Sequence, residues 1–189
     1  MMSSPLKIQT WTKHFEHFWT WLQSDDSQNI FRLLTVITSH QNIPNARTMV
    51  LRDVIDNRFI FFTDRRSYKI QEIQSNPQSC IHHYDRESKT QFLFKGLLNP
   101  FSSHPKMQIW KQMAMQRFHD YGANRPPSTY INEFDEIEYS EQVASENFLV
   151  LAFSPQIVEI LQLDPPKHFR FTWVWENSKN RWEQHQVVP

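Results

Sequence analysis

Two glycines, Gly96 and Gly122, serve all 189 residues. Glycine lets a backbone turn through positive φ and lets a phosphate lie against bare amides. With two of them this chain can write neither a GxGxxG dinucleotide turn nor a GxxxxGKS/T phosphate loop. The nucleotide folds built on those loops are excluded. Any phosphate bound here has to be held by side chains, by helix-end amides, or by both.

Charge and cysteine content narrow the field further. Twenty basic residues balance 20 acidic ones, so no positive field is available to draw in a nucleic-acid backbone. Cys80 is the only cysteine, which rules out an intrachain disulfide and a thiolate metal cluster. The nine histidines show no HExxH spacing, and His82 and His83, neighbours in a strand, point to opposite faces, so no metal site is expected. The opening run MMSSPLKIQTWTKHFEHFWTWL has no basic start followed by an apolar stretch, and no apolar run approaches the roughly 20 residues of a membrane helix. The expectation is a single-domain cytoplasmic protein without nucleic-acid or membrane partners.

Periodicity predicts mostly strands. Trp11, Phe15, Phe18, Trp19 and Leu22 recur at helical spacing and predict an amphipathic opening helix. Strands follow at Ile30–Thr38, at Arg47–Val54 after a loop around Pro44, and at Phe59–Thr63 after an Asp56-Asn57 turn. A short helix capped by Asp64 or Ser67 runs to Ile73 and stops at Asn76-Pro77. Cys80–Tyr84 and Gln91–Leu98 predict the next strand pair, and a helix starts near Pro105 and reaches about His119. Beyond an irregular stretch, a helix is expected within the acidic residues 133–146. Strands are then expected at Phe148–Phe153, Val158–Leu163, His168–Glu176 and Trp182–Val187. Trp173 and Trp175 share a strand face, which places them in the core or at a dimer interface, with the core the expectation. Many short strands with few helices predict a mainly β fold with helices, arranged as an antiparallel barrel that leaves few open edges.

Two clusters carry possible chemistry. In Arg47-Thr48-Met49-Val50-Leu51-Arg52, two arginines bracket an apolar strand. In Phe62-Thr63, then Arg65-Arg66-Ser67-Tyr68-Lys69, a helix start gathers positive charge and a hydroxyl into an anion site made without glycine. Each alone is an ordinary surface pattern. Together, a hairpin and the helix after it would bring Arg47, Ser67 and Lys69 around one phosphate.

The ordered series Arg47…Leu51-Arg52, Phe62-Thr63, Ser67-x-Lys69, Asn76-Pro77 and Gln91 before a strand reaching Gly96 resembles the FMN-binding half of the pyridoxamine 5'-phosphate oxidase family. The end of the chain agrees: Val158-Glu159 leads to His168-Phe169-Arg170-Phe171, and Trp182 and Pro189 close it. The resemblance implies a split β-barrel homodimer with flavin mononucleotide (FMN) at the subunit interface. It implies that Arg47 and Lys69 bind the FMN phosphate, with Ser67 and Arg66 assisting, that backbone groups of Met49, Val50 and Leu51 lie along the flavin ring, and that Thr48, Arg52 and Tyr68 belong to the same cofactor-binding set. Phe62, Thr63 and Gln91 would hold the flavin or its ribityl chain, Gln91 from the partner subunit. Arg170 would reach the flavin, while His168, Arg52 and Arg117 would face a small-molecule substrate.

The chain also departs from the family pattern. Tyr68 stands where a second phosphate-binding arginine is usual, Leu161 where a flavin-contacting tryptophan is, and Pro166 where a substrate-contacting arginine is. Arg52 replaces a lysine, and residues 110–128 hold no RPRxSQxGAW-like segment, with Arg117, Tyr121 and Arg125 as the available substitutes. The cofactor half is kept better than the substrate half. The expectation is a divergent FMN-dependent oxidoreductase rather than the vitamin B6 oxidase itself. The alternatives are a non-catalytic FMN carrier or sensor, and a flavin-free barrel that binds partners through its aromatic surface.

Overall fold

The computed structural model describes residues 32–133, 136–163 and 166–189; the opening helix expected over residues 11–22 lies outside them. β1 (Leu33–His40) and β2 (Ile43–Ile55) form a hairpin that turns at Gln41 and Asn42, both at positive φ, 50° and 64°. The sequence places that turn at Pro44, but Pro44 lies inside β2, opposite Ser39. β3 (Arg58–Asp64) pairs with β2 only from Leu51 onward, so the start of β2 runs past it, where a missing N–H is tolerated. The β2–β3 turn falls at Asp56 and Asn57, φ 47° and 59°, as their residue types require.

α1 (Tyr68–Ser75) follows, then β4 (Gln78–Asp85) and β5 (Thr90–Pro100). α2 (Met107–Met115) is shorter than the sequence predicts. Beyond it the amides of Arg117 and Asp120 bond to Ala114 and Arg117, both at 2.9 Å, and this tighter winding through Phe118–Asp120 turns Tyr121 back toward the sheet. Asp53 fastens α2 to β2, accepting from Lys106 Nζ at 2.8 Å and Trp110 Nε1 at 3.1 Å. α3 (Glu141–Asn147), β6 (Phe148–Gln162), β7 (Phe169–Glu176) and β8 (Arg181–Val187) complete the order.

All pairings are antiparallel, in the order β3-β2-β1-β4-β5-β6-β7-β8, and a β3–β6 pairing closes β1 to β6 into a barrel. β7 and β8 extend the sheet beyond β6. The sequence predicts two strands where the structure has one: β6 runs 15 residues without a break. Ser154-Pro155 reads as a turn, but here it is a register irregularity that the opposing glycine absorbs. A Cβ on Gly96 would lie 2.1 Å from the Ser154 carbonyl oxygen and 2.8 Å from Pro155 Cα.

Two cores flank β3, and every residue from Phe59 to Asp64 is buried. Phe59 and Phe61 point into the barrel with Phe92, Phe94, Leu151 and Phe153, and Phe59 meets Phe94 edge-on at 4.9 Å. Ile60 and Phe62 point outward, under α2, against Trp110, Tyr121, Phe148 and Val150. Burial on both faces is why RFIFFTD shows no polar alternation. Trp173 sits in the barrel core, 1% exposed, as its pattern predicts, but Trp175 is only partly buried and belongs to neither core, standing edge-on to Trp182 at 5.5 Å. Among the described residues no helix is long and apolar enough to cross a membrane.

Replacing Gly96 with alanine is expected to destabilise the fold by about 1–3 kcal/mol through overpacking. A urea midpoint equal to that of the parent protein would show that β6 can move away from β5 at little cost.

Candidate functional site

The chain leaves the barrel at the end of β3, and Asp64 organises the exit. Its Oδ1 accepts from the Arg66 amide at 2.7 Å and its carbonyl from the Ser67 amide at 3.1 Å, while the Arg65 amide reaches Asn147 O at 2.8 Å. That turn sets Ser67 in an extended conformation as the N-cap of α1, and the Ser67 hydroxyl makes no capping bond of its own. An open cleft of about 250 Å³ lies between this turn, the β2 strand and the segment after α2.

The cleft gathers most of the predicted cofactor residues: Arg47, Thr48, Met49, Val50 and Arg52 from β2, Phe62 and Thr63 from β3, and Ser67 and Lys69 from the start of α1. Asp64, Asp120, Tyr121 and Pro127 complete its lining. Tyr121 was within reach of sequence reasoning as a stand-in for a substrate ligand. Asp120 and Pro127 carry no local signal, because only the fold brings their segment over the cleft.

One end is cationic. Lys69 Nζ donates to Thr63 Oγ1 at 3.0 Å. Burial holds the Lys69 ammonium below the ordinary lysine range, the neighbouring Arg47 guanidinium pushes the same way, and Asp64 and Glu72 pull against both. Arg47 is anchored from behind: its Nη2 donates to Glu72 Oε2 at 2.8 Å and its Nη1 to Thr38 Oγ1. Glu72, fully buried, also accepts from Asn45 Nδ2 at 2.6 Å and from the Thr38 hydroxyl. Sequence reasoning missed Glu72, since a glutamate in IQEIQS reads as part of a solvated helix face.

The other end mixes signs. The Arg52 guanidinium lies 5.5 Å from the centre of the Phe62 ring. It also hydrogen-bonds the Tyr121 hydroxyl, whose pKa burial raises against the pull of Arg52. Asp120 sits beside it, paired with Arg117 at 3.2 Å.

Several predicted residues stand elsewhere. Arg66 is engaged by Asp64, with Nη2 2.6 Å from Oδ2, and its Nη1 donates to Ala123 O at 2.9 Å, so it ties the segment after α2 to the end of β3. Leu51 packs against the barrel core. Tyr68 is half exposed, edge-on to His40 at 6.0 Å. Arg117 and His168 are exposed outside the cleft lining, and Arg125 pairs with Glu136 at 3.2 Å. Gln91 and Arg170 share another face of the sheet, each paired with Leu161 from opposite sides. There Arg170 Nη2 donates to Glu159 Oε2 at 2.7 Å, and Lys95 reaches the other carboxylate oxygen.

A phosphate monoester fits the cationic end. Two positive side chains, an uncommitted hydroxyl and the first-turn amides of α1 converge there, and the mutual repulsion of Arg47 and Lys69 is relieved by an anion between them.

Known proteins agree with this geometry. The family model described as pyridoxamine 5'-phosphate oxidase, FMN-binding domain, matches residues 8–101. A pyridoxine/pyridoxamine 5'-phosphate oxidase of Pseudoalteromonas atlantica is 26% identical over 174 residues, 82% of this chain and 78% of that protein. A pyridoxine/pyridoxamine 5'-phosphate oxidase 2 of Hydrogenovibrio crunogenus is 29% identical over 111 residues, which cover 59% of this chain and 46% of that relative's length. Among solved structures, a pyridoxamine 5'-phosphate oxidase-related, FMN-binding protein of Nostoc punctiforme superposes with a TM-score of 0.65 at 24% identity, covering 100% of both chains. PhzG of Burkholderia lata, solved with tetrahydrophenazine-1-carboxylic acid, gives 0.66 at 15% identity over 99% of this chain and 95% of its own. These two likenesses establish the fold, an antiparallel split barrel. Over residues 8–101, then, the chain is matched by the FMN-binding domain of the pyridoxamine 5'-phosphate oxidase family.

Proposed function

We propose that this protein binds FMN in the cleft at the end of β3 and works as an FMN-dependent oxidoreductase on a small molecule. The carrying observation is the Arg47–Lys69 pair, two cations held side by side at one end of a cleft that β2 residues line and that Phe62 and Tyr121 supply with aromatic surface. Arg47, Lys69, Ser67 and the α1 amides hold the phosphate. The β2 backbone from Thr48 to Val50 offers its polar groups to the ring edge, and Thr63 steadies Lys69. Bound there, FMN supplies electron and hydride transfer; the protein contributes placement and electrostatics. Arg52 and Tyr121 at the opposite end offer a guanidinium and a hydroxyl to a substrate, beside the carboxylate of Asp120. That mixed charge suits a partner carrying donors as well as an anionic group. The names of the related oxidases support the redox assignment.

A homodimer belongs to the same proposal. At about 250 Å³ the cleft falls below the roughly 300–1,000 Å³ typical of complete small-molecule sites. Gln91 and Arg170 lie on a sheet face outside it, so a single copy does not bring them to the flavin. A second copy laid on that face would add both residues and wall off the open side.

Titration of purified protein with FMN should give saturable, flavin-coloured binding. A colourless protein that takes up no FMN at micromolar concentration would end the proposal. Lys69→Ala should weaken binding by roughly 10- to 150-fold, since a charge-assisted phosphate contact is worth about 1.5–3 kcal/mol.

The protonated ammonium is the binding form, so affinity should fall as pH rises through the lowered Lys69 pKa. Affinity should also fall in acid, as the phosphate loses its second charge near a pKa of about 6. Lys69→Arg should abolish the alkaline limb alone; an alkaline limb unchanged in that variant would show that another group titrates.

Pyridoxamine 5'-phosphate, reduced nicotinamides and other organic donors can be screened for bleaching of the bound flavin. Tight binding that none of them bleaches would favour the carrier or sensor reading. Sedimentation equilibrium should show a dimer, and a monomer that retains FMN would refute the shared site.

A further inference from the structure

The most unusual group near the cleft never touches it. Glu72 lies behind Arg47, 0% exposed, in the middle of α1, and its carboxylate is a hub for three donors from two other strands. Asn45 and Arg47 of β2 and Thr38 of β1 all point at it. Thr38 closes the circuit by also accepting from Arg47 Nη1. Three side chains from three elements, Thr38, Asn45 and Glu72, therefore spend polar groups on fixing one guanidinium.

A buried carboxylate carries a large desolvation penalty and is weak evidence for stability by itself, so an explanation for this one lies in what it arranges. Arginine has five N–H donors in a rigid planar fork, and here one from each terminal nitrogen is engaged on the side away from the cleft. The side chain itself belongs to the cleft lining. An arginine on a free stem would lose its rotamer freedom on meeting a ligand, whereas this one has lost it already, at folding. Glu72 also opposes the repulsion between Arg47 and Lys69, which allows both to stand at the same end before any anion arrives.

We propose that Glu72 is a positioning residue for the ligand's terminal phosphate, acting through Arg47: the Thr38–Asn45–Glu72 hub locks the guanidinium into a phosphate-ready orientation. The proposal rests on the FMN reading above and deepens it. It assigns to the hub the preference for a phosphorylated flavin over an unphosphorylated one, and nothing else about flavin binding.

The test compares dissociation constants for FMN and riboflavin, whose ratio isolates the phosphate. In the parent protein FMN should bind far more tightly. Glu72→Ala removes the acceptor and should reduce that ratio about tenfold, with riboflavin affinity unchanged. Glu72→Gln keeps an acceptor oxygen of the same shape and should hold the ratio at the parent value or raise it, because a charge that repels phosphate is gone. Thr38→Val removes the second anchor of Arg47 without stranding a charge, and should lower the ratio in the same direction as Glu72→Ala. It carries the test if the alanine variant does not fold. In an Arg47→Met background the Glu72→Ala change should no longer affect the ratio.

A ratio that stays at the parent value in Glu72→Ala and Thr38→Val would overturn the proposal, and so would parallel losses for FMN and riboflavin, the mark of a purely structural role. A parent protein that binds the two flavins equally well would instead overturn the phosphate site itself.

Discussion

β3 has no free face, and the rest of the molecule follows from that. Phe59 and Phe61 fill the barrel while Ile60 and Phe62 seat α2 on the outside, so one seven-residue strand joins two cores. Its partners on either side, β2 and β6, close the barrel around it. A strand clamped in this way ends at a defined place, and the residues just past its end inherit that definition. Thr63, Asp64 and Ser67 are polar groups buried at 4–6% exposure, held where the apolar packing stops. The cleft is the rim of a core, which is why its polar groups can be precise in position without any glycine loop to shape them.

The two ends of the cleft follow different electrostatic logic. At the Lys69 end, like charges are forced together, and the countercharge behind Arg47, the buried carboxylate of Glu72, stands outside the cleft lining. At the Tyr121 end, charges of both signs line the opening directly. The first arrangement suits a group of fixed and simple chemistry such as a phosphate. The second suits a group whose shape and hydrogen-bonding pattern matter. Arg66 links the ends, since its ion pair with Asp64 and its bonds to the Tyr121 and Ala123 carbonyls hold the second wall against the strand that defines the first.

Much of this was legible in the sequence, for local reasons. Asp56-Asn57 announces a hairpin because few other residues accept positive φ at both positions, and Ser67-x-Lys69 announces a charged helix start. Failures came where a distant partner decides. Ser154-Pro155 reads as a turn until Gly96 on the neighbouring strand is seen to leave room for it. Pro44 reads as a loop until β3 is seen to stop short of it. Arg66 reads as one more cation for the phosphate, but a carboxylate two residues back and a carbonyl 57 residues ahead claim its donors. Glu72 is the hardest case, because its partners lie 25 to 34 residues away and its own helix gives no hint of burial. The residues that line the cleft could be named from sequence because most of them cluster in short segments. The groups that orient them come from other strands and leave no such trace.

β6 carries a kinetic implication. Its first half pairs with β3 and its second half with β7, with β5 running along both, so the barrel seam joins Phe59 to Phe153. During synthesis the five earlier strands are made long before the one that seals them, and β3 waits with an unpaired edge and an exposed aromatic face. Contacts of such long sequence separation make closure slow relative to hairpin formation. The cleft, built on the end of that same strand, comes into being only when the seam does, so a nascent or truncated chain has nothing to offer a ligand until its last third has emerged.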